Sequence, residues 1–182
     1  MNRISETDLI ILPDGGAYHI GLRPDQVPDR IIAVGDPGRV EKVSRHFDSI
    51  DFKQHHREFI SHGGVYKGKN VLAISTGIGT DNVEIVLTEL DALVNVDFPS
   101  RLPKKEKRKL NVVRVGTSGA LQPEIKAGSE MVSIFGIGLD GLMNFYRMKP
   151  NLFETEMSSA IKRAAGLTIE PYTAQGSDML AA

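Results

Sequence analysis

The sequence contains no cysteine. This excludes disulfide bonds, zinc sites built on thiolates and a cysteine nucleophile, and it fits a reducing compartment. Long apolar runs are also missing, since no window approaches the ~20 consecutive apolar residues that span a bilayer. The N-terminal stretch "MNRISETDLIILPDGG" lacks the basic head and apolar core of a secretory signal. We therefore predict a cytoplasmic protein without a membrane partner.

A surplus of positive charge is absent as well. Lysine and arginine number 22 against 23 acidic residues, so the formal net charge is -1, and no global basic field attracts nucleic acid. Basic residues do gather in "PSRLPKKEKRKLN", residues 99–111, but no aromatic residue is interleaved. We interpret this segment as a solvated loop between a helix and a strand, with oligonucleotide binding as the less favoured alternative.

What is present is typical of a globular α/β protein. The 182 residues, 41% hydrophobic and 25% charged, predict a single domain, 1–182, with a buried core. Apolar strand patterns alternate with helical patterns, and a hairpin around "YKGKN" makes the predicted central sheet mixed, with helices flanking it. Residues 1–29 are turn-rich and predicted to wrap the surface. Predicted strands lie within 30–35, 50–75, 110–115, 128–139 and 167–178, and predicted helices within 37–47, 81–94 and 152–166.

Three glycine-rich turns follow apolar strands, in "GDPGR", "TGIGT" and "GTSGA". Ligands bind at the carboxyl ends of strands in open α/β sheets, so we expect these turns to face one crevice. Arg39 follows the first turn, and Arg114 lies in the strand before the third. An arginine in an apolar strand is costly to bury without a partner, which leaves two interpretations open: a bound anion and a structural ion pair.

The stretch "HHREF" supplies His55, His56, Arg57 and Glu58 in a segment predicted to be extended. Neighbours in a strand face opposite sides, so His55 and His56 form a poor chelating pair. A polar strand face or a subunit contact is the favoured interpretation, with Arg57 and Glu58 facing opposite ways. The remaining histidines have no metal-ligand spacing and are predicted to be surface or capping residues: His19, His46 and His62.

Five motifs in order resemble one family, the nucleoside phosphorylases of the uridine phosphorylase and hexameric purine nucleoside phosphorylase type. They are "HIGL" (19–22), "GDPGRVEK" (35–42), "HREF" (56–59), "STGIG" (75–79) and "RVGTSGAL" (114–121). The resemblance implies a three-layer α/β fold with a central mixed sheet. It also implies phosphorolysis of a nucleoside by inorganic phosphate to free base and pentose 1-phosphate. "GTSGAL" and the context of "HREF" are closer to uridine phosphorylases, and a purine nucleoside phosphorylase is the alternative.

The resemblance also implies residue roles. Catalytic roles fall to Arg39, Arg114 and Thr117, which hold phosphate with Gly35 inside one subunit. Arg57 reaches the phosphate of a neighbouring subunit, His19 crosses the interface toward the ribose 5′-hydroxyl, and Thr117 also contacts ribose. Such shared sites imply a dimer-based homo-oligomer, usually a hexamer. No cofactor is implied beyond the substrate phosphate and a potassium ion at Glu58, Ile78 and Asn82, where asparagine replaces the commoner serine.

Family chains normally continue past the final stretch "TAQGSDMLAA". By resemblance, that continuation carries the residues that read the base and the ribose hydroxyls, and none of those motifs occurs in this sequence. The resemblance therefore covers the N-terminal, phosphate-binding part of the family, and a C-terminally incomplete fold is expected. A fragment of an enzyme and a non-catalytic phosphate-binding assembly subunit are both compatible with this pattern.

Overall fold

The computed structural model describes residues 3–177, and the chain divides into two compact units, Met1–Ser118 and Gly119–Ala182. The first unit contains, in chain order, β1 (Arg30–Val34), α1 (Gly38–Ser44), β2 (Ser49–His56), β3 (Phe59–Tyr66), β4 (Lys69–Ser75), α2 (Thr80–Asn95), β5 (Val96–Asp97), β6 (Leu102–Pro103) and β7 (Asn111–Val115). The second contains β8 (Phe135–Gly138), α3 (Leu152–Ala165) and β9 (Tyr172–Gln175).

The first unit is built on a five-stranded mixed sheet in the order β2-β3-β4-β1-β7. β1 runs parallel to both β4 and β7, whereas β2, β3 and β4 pair in antiparallel fashion. The predicted mixed sheet and the hairpin at "YKGKN", which joins β3 to β4, are therefore confirmed. Because the three parallel strands share one direction, their carboxyl ends lie at the same edge of the sheet.

Helices cover both faces of this sheet. Ile31 and Leu72 lie opposite each other in the register and pack with buried residues of α2. Val34 and Ala73 have the opposite strand parity and pack with Val40 of α1. The unit therefore has three layers, with the sheet in the middle. The apolar face predicted for α2 is buried at Val86, Leu90, Leu93 and Val94, but Leu87 is 44% exposed.

The segment before β1 does more than wrap the surface. Its regular structure among the described residues is one short 3-10 turn, Pro24–Gln26, as the density of turn residues predicted. Its apolar side chains nevertheless enter the main core together with α2. The buried ones are Leu9, Ala17, Ile20, Leu22 and Val27.

The basic segment after α2 has structural partners. The Lys104 ammonium donates to the carbonyl of Val94 at 3.1 Å, and the Lys107 ammonium donates to that of Asn95 at 3.0 Å. These are carbonyls of the last helical turn, which lack partners within the helix and attract cations. Arg108 pairs with Asp29 at 2.5 Å. Lys104 and Lys107 thus stabilise the end of α2, and Arg108 links the segment before β7 to the segment before β1.

In the second unit, β8 and β9 form an antiparallel two-stranded sheet of their own. α3 begins with a capping box between Asn151 and Glu154 and ends at Gly166, which adopts the left-handed conformation. The predicted helix and strands are confirmed, and the domain assignment 1–182 stays a prediction. Within residues 3–177, no helix combines the length and apolar character needed to cross a membrane.

Candidate functional site

The turns after β1, β4 and β7 meet around one guanidinium group. A Cβ added to Gly35 would lie 3.4 Å from Nη2 of Arg114 and 3.5 Å from the carbonyl oxygen of Gly77. A Cβ added to Gly116 would lie 3.0 Å from Nη1 of the same arginine. The Thr76 N–H also donates to the carbonyl of Val34 at 2.7 Å, which joins the ends of β4 and β1. The ends of the three strands therefore lie close together, as predicted, and the single crevice that the turns would face stays a prediction.

Arg114 is exposed, because β7 is the edge strand of the five-stranded sheet. The desolvation cost expected for an arginine inside an apolar strand therefore does not arise. Within residues 3–177 no carboxylate pairs with its guanidinium, so the structural ion pair is not found there. The five N–H donors of this side chain remain available to an external acceptor.

Arg39 and Thr117 lie at the same edge of the sheet. Arg39 is half-buried in the first turn of α1, which begins directly after the Gly35 turn, and Thr117 is exposed directly after β7. The Asp36 carboxylate accepts from the Gly38 N–H at 2.8 Å in the turn that leads into α1. This edge therefore offers two arginines, a hydroxyl and glycine backbone, a set suited to an oxyanion.

A second group forms around Tyr18. The Arg57 guanidinium lies 4.3 Å from the centroid of the Tyr18 ring, a cation–π contact, and the His19 ring meets the same ring edge-on at 4.9 Å. Arg57 does not lie on a strand face as predicted, because Arg57 and Glu58 form the two-residue turn between β2 and β3. Arg57 has φ +52° there, so the alternation of faces predicted for "HHREF" is wrong at these two residues.

His19 is held by a residue that the sequence analysis missed, Glu89 of α2. Its carboxylate lies 2.6 Å from Nδ1 of His19 and accepts from the backbone N–H groups of His19 at 3.0 Å and Ile20 at 2.9 Å. Glu89 is only 8% exposed. The sequence did contain a signal for this role. Glu89 falls on the same apolar helical face as Val86 and Leu93, and a carboxylate that is buried on such a face needs hydrogen-bond partners.

The other histidines do not gather into a metal site. His62 is buried on β3, and its Nδ1 lies 2.7 Å from the Ser44 hydroxyl at the end of α1, so its predicted surface or capping position is wrong. Burial and the nearby Lys53 ammonium lower the pKa of His62. His56 donates through Nε2 to the Tyr18 carbonyl at 3.1 Å. In the described part of the chain, no three His, Cys, Asp or Glu residues cluster for a metal.

The residues expected to hold potassium can all offer oxygen, which suits a hard cation. Glu58 is exposed in the β2–β3 turn, and Ile78 is 92% exposed in the loop before α2. The Asn82 amide nitrogen lies close to Gly77, because a Cβ added to Gly77 would be 2.6 Å from it. No hydrogen bond or ion pair joins the three residues within residues 3–177, and the potassium site stays a prediction.

The sequence profile of the phosphorylase superfamily matches residues 29–174. A uridine phosphorylase of Thermococcus kodakarensis is 32% identical over 154 residues, covering 84% of this chain and 50% of its own length. A DeoD-type purine nucleoside phosphorylase of Thermoanaerobacter sp. is 27% identical over 161 residues, covering 85% of this chain and 63% of its own length.

Among solved structures, a Trypanosoma brucei nucleoside phosphorylase described as showing uridine phosphorylase activity superposes with a TM-score of 0.86 at 32% identity. The match covers 94% of this chain and 58% of that one. This chain spans about half the length of the curated uridine phosphorylases that it matches. The profile match, the mixed sheet with flanking helices and the meeting of the glycine turns agree, and this chain is a member of the phosphorylase superfamily.

Proposed function

We propose that this chain carries the phosphate-binding site of a nucleoside phosphorylase, with uridine as the nucleoside. The observation that carries the proposal is the Arg114 guanidinium, which lies between the turns of Gly35 and Gly116 with its charge unpaired among residues 3–177. The similarity to uridine phosphorylases favours uridine as the substrate.

In this reaction, phosphate is the nucleophile and the protein supplies none. A phosphate oxygen attacks C1′ of the sugar while the glycosidic C1′–N bond breaks, and its electron pair leaves with the base. The products are ribose 1-phosphate and, after protonation, the free base. Arg39, Arg114 and Thr117 hold the phosphate anion in a fixed position through charged and hydroxyl donors. The bound anion then stabilises the positive charge that develops on the sugar.

The Tyr18 group supports a shared site. Arg57 and His19 both contact the ring of Tyr18, and no hydrogen bond or ion pair links either of them to Arg114 within residues 3–177. We propose that both side chains serve the site of a neighbouring subunit, Arg57 toward phosphate and His19 toward the ribose 5′-hydroxyl. A dimer-based homo-oligomer follows from this arrangement.

The direct test is phosphorolysis by the purified chain. It is incubated with phosphate and either uridine or inosine, and the released base and ribose 1-phosphate are measured. We expect uracil release that requires phosphate and falls by at least about tenfold in Arg39→Ala, which removes a charge-assisted contact. The matched control is Arg45→Ala, because Arg45 is exposed at the opposite end of α1; it should keep the parent rate.

The other outcomes separate the alternatives. Faster release of hypoxanthine from inosine than of uracil from uridine would identify a purine nucleoside phosphorylase. Thermal stabilisation by phosphate without turnover of either nucleoside would indicate a non-catalytic phosphate-binding subunit, because a ligand stabilises the state that it binds. Neither turnover nor stabilisation would contradict the proposal.

A further inference from the structure

One buried carboxylate determines which nitrogen of His19 carries a proton. An ionised carboxylate is an acceptor only, so the 2.6 Å contact between Glu89 and Nδ1 of His19 requires a proton on Nδ1. In the neutral imidazole, Nε2 is then the acceptor. No hydrogen bond within residues 3–177 uses this Nε2, and the side chain is 36% exposed.

The main chain around His19 is fixed by the same group. Glu89 accepts from the N–H groups of His19 and Ile20, so one side chain of α2 holds both the backbone and the ring. In the preceding residue, the Tyr18 carbonyl accepts from His56 and the Tyr18 ring contacts the Arg57 guanidinium. The His19 ring is therefore constrained both in position and in tautomer.

We propose that Glu89 is a positioning residue that keeps His19 in the Nδ1–H tautomer, so that Nε2 accepts a hydrogen bond from a sugar hydroxyl of the nucleoside. The inference rests on the proposed function, in which His19 contacts the ribose. It adds the direction of the hydrogen bond in that contact, in which the ligand group must be the donor. A sugar that lacks this hydroxyl would leave the acceptor unpaired, and discrimination follows from that loss.

Glu89→Gln is the informative variant, because a glutamine amide can donate to Nδ1. Donation to Nδ1 makes it the acceptor and moves the proton to Nε2, which can then no longer accept the hydroxyl proton. The matched control is Glu84→Gln on the same helix, where the carboxylate accepts from the Thr88 hydroxyl at 3.3 Å.

The first measurement is ¹⁵N NMR of the imidazole nitrogens in the neutral form, with His19→Gln used to assign the signals. We expect His19 to be protonated on Nδ1 in the parent protein and in Glu84→Gln, and to shift toward Nε2 protonation in Glu89→Gln. A parent His19 protonated on Nε2, or a tautomer unchanged in Glu89→Gln, would overturn the inference. If Glu89→Gln fails to fold, the parent spectrum alone decides.

The second measurement is the ratio of kcat/KM for uridine and 5′-deoxyuridine. We expect the parent ratio to fall several-fold in Glu89→Gln, because the hydroxyl can no longer donate to Nε2 and must reorient to accept from it, and to stay unchanged in Glu84→Gln. An equal loss of activity on both nucleosides would indicate a merely structural role and refute the positioning role. A parent protein inactive on every nucleoside would refute the proposed function, while the NMR result would still decide the tautomer.

Discussion

Replacing Arg114 with alanine tests whether the meeting point of the glycine turns is an anion site. Arg114 is exposed, so the substitution should change the free energy of unfolding without phosphate by less than about 0.5 kcal/mol. Its effect should instead fall on phosphate binding, since both Nη1 and Nη2 lie beside the glycine turns. Hydrogen bonds to charged groups contribute about 1.5–3 kcal/mol. This corresponds to a dissociation constant for phosphate raised roughly 10- to 150-fold.

The assay is calorimetric titration of the purified chain with inorganic phosphate at constant ionic strength, because salt screens exposed charges. Thermal unfolding gives an independent reading, since phosphate at a hundredfold excess over its dissociation constant should stabilise the parent by about 2.7 kcal/mol. Arg30→Ala is the matched control, an exposed arginine at the opposite end of the same sheet. Equal weakening by both variants, or an unchanged affinity in Arg114→Ala, would refute the reasoning.

Two further predictions concern stability. Gly63→Ala should destabilise the fold by about 1–3 kcal/mol in urea unfolding, because its Cβ would lie 2.1 Å from the Phe52 ring; Gly119→Ala, with open space around its Cβ, is the control, and equal effects would contradict the packing argument. Because burial holds the pKa of His62 below its ordinary value of 6.5, the unfolded chain binds protons first as pH falls. The free energy of unfolding should therefore decrease as pH falls below 6.5. His62→Gln should flatten this slope and His46→Gln should not, and the same slope in both variants would count against His62 as its source.

The parts of the fold that the sequence predicted are those with strong local patterns. The apolar run of β1 and the spaced apolar residues of α2 mark their elements without reference to the rest of the chain. The β2–β3 turn was missed because Arg57 and Glu58 are not residues that favour a tight turn. Arg57 takes a positive φ that glycine, asparagine or aspartate usually adopts in hairpins.

One part of the candidate site could likewise be predicted from the sequence, and another part could not. The convergence of the turns at Gly35 and Gly116 follows from parallel strands and could be predicted, because topology alone brings strand ends together. The contact between His19 and Glu89 could not, since it joins residues 70 positions apart whose pairing depends on how α2 packs. His62 was misjudged because a polar residue next to glycines gives no sign of burial.

Because β7 is the edge strand of the five-stranded sheet, one row of its backbone N–H and carbonyl groups faces away from β1. The Asn111 N–H donates inward to the carbonyl of Asp29, and in a parallel ladder the alternate amides, those of Val112 and Arg114, then face outward. An added strand would find ready partners in these outward groups. Such an addition would hold the backbone of Arg114 from both sides of β7.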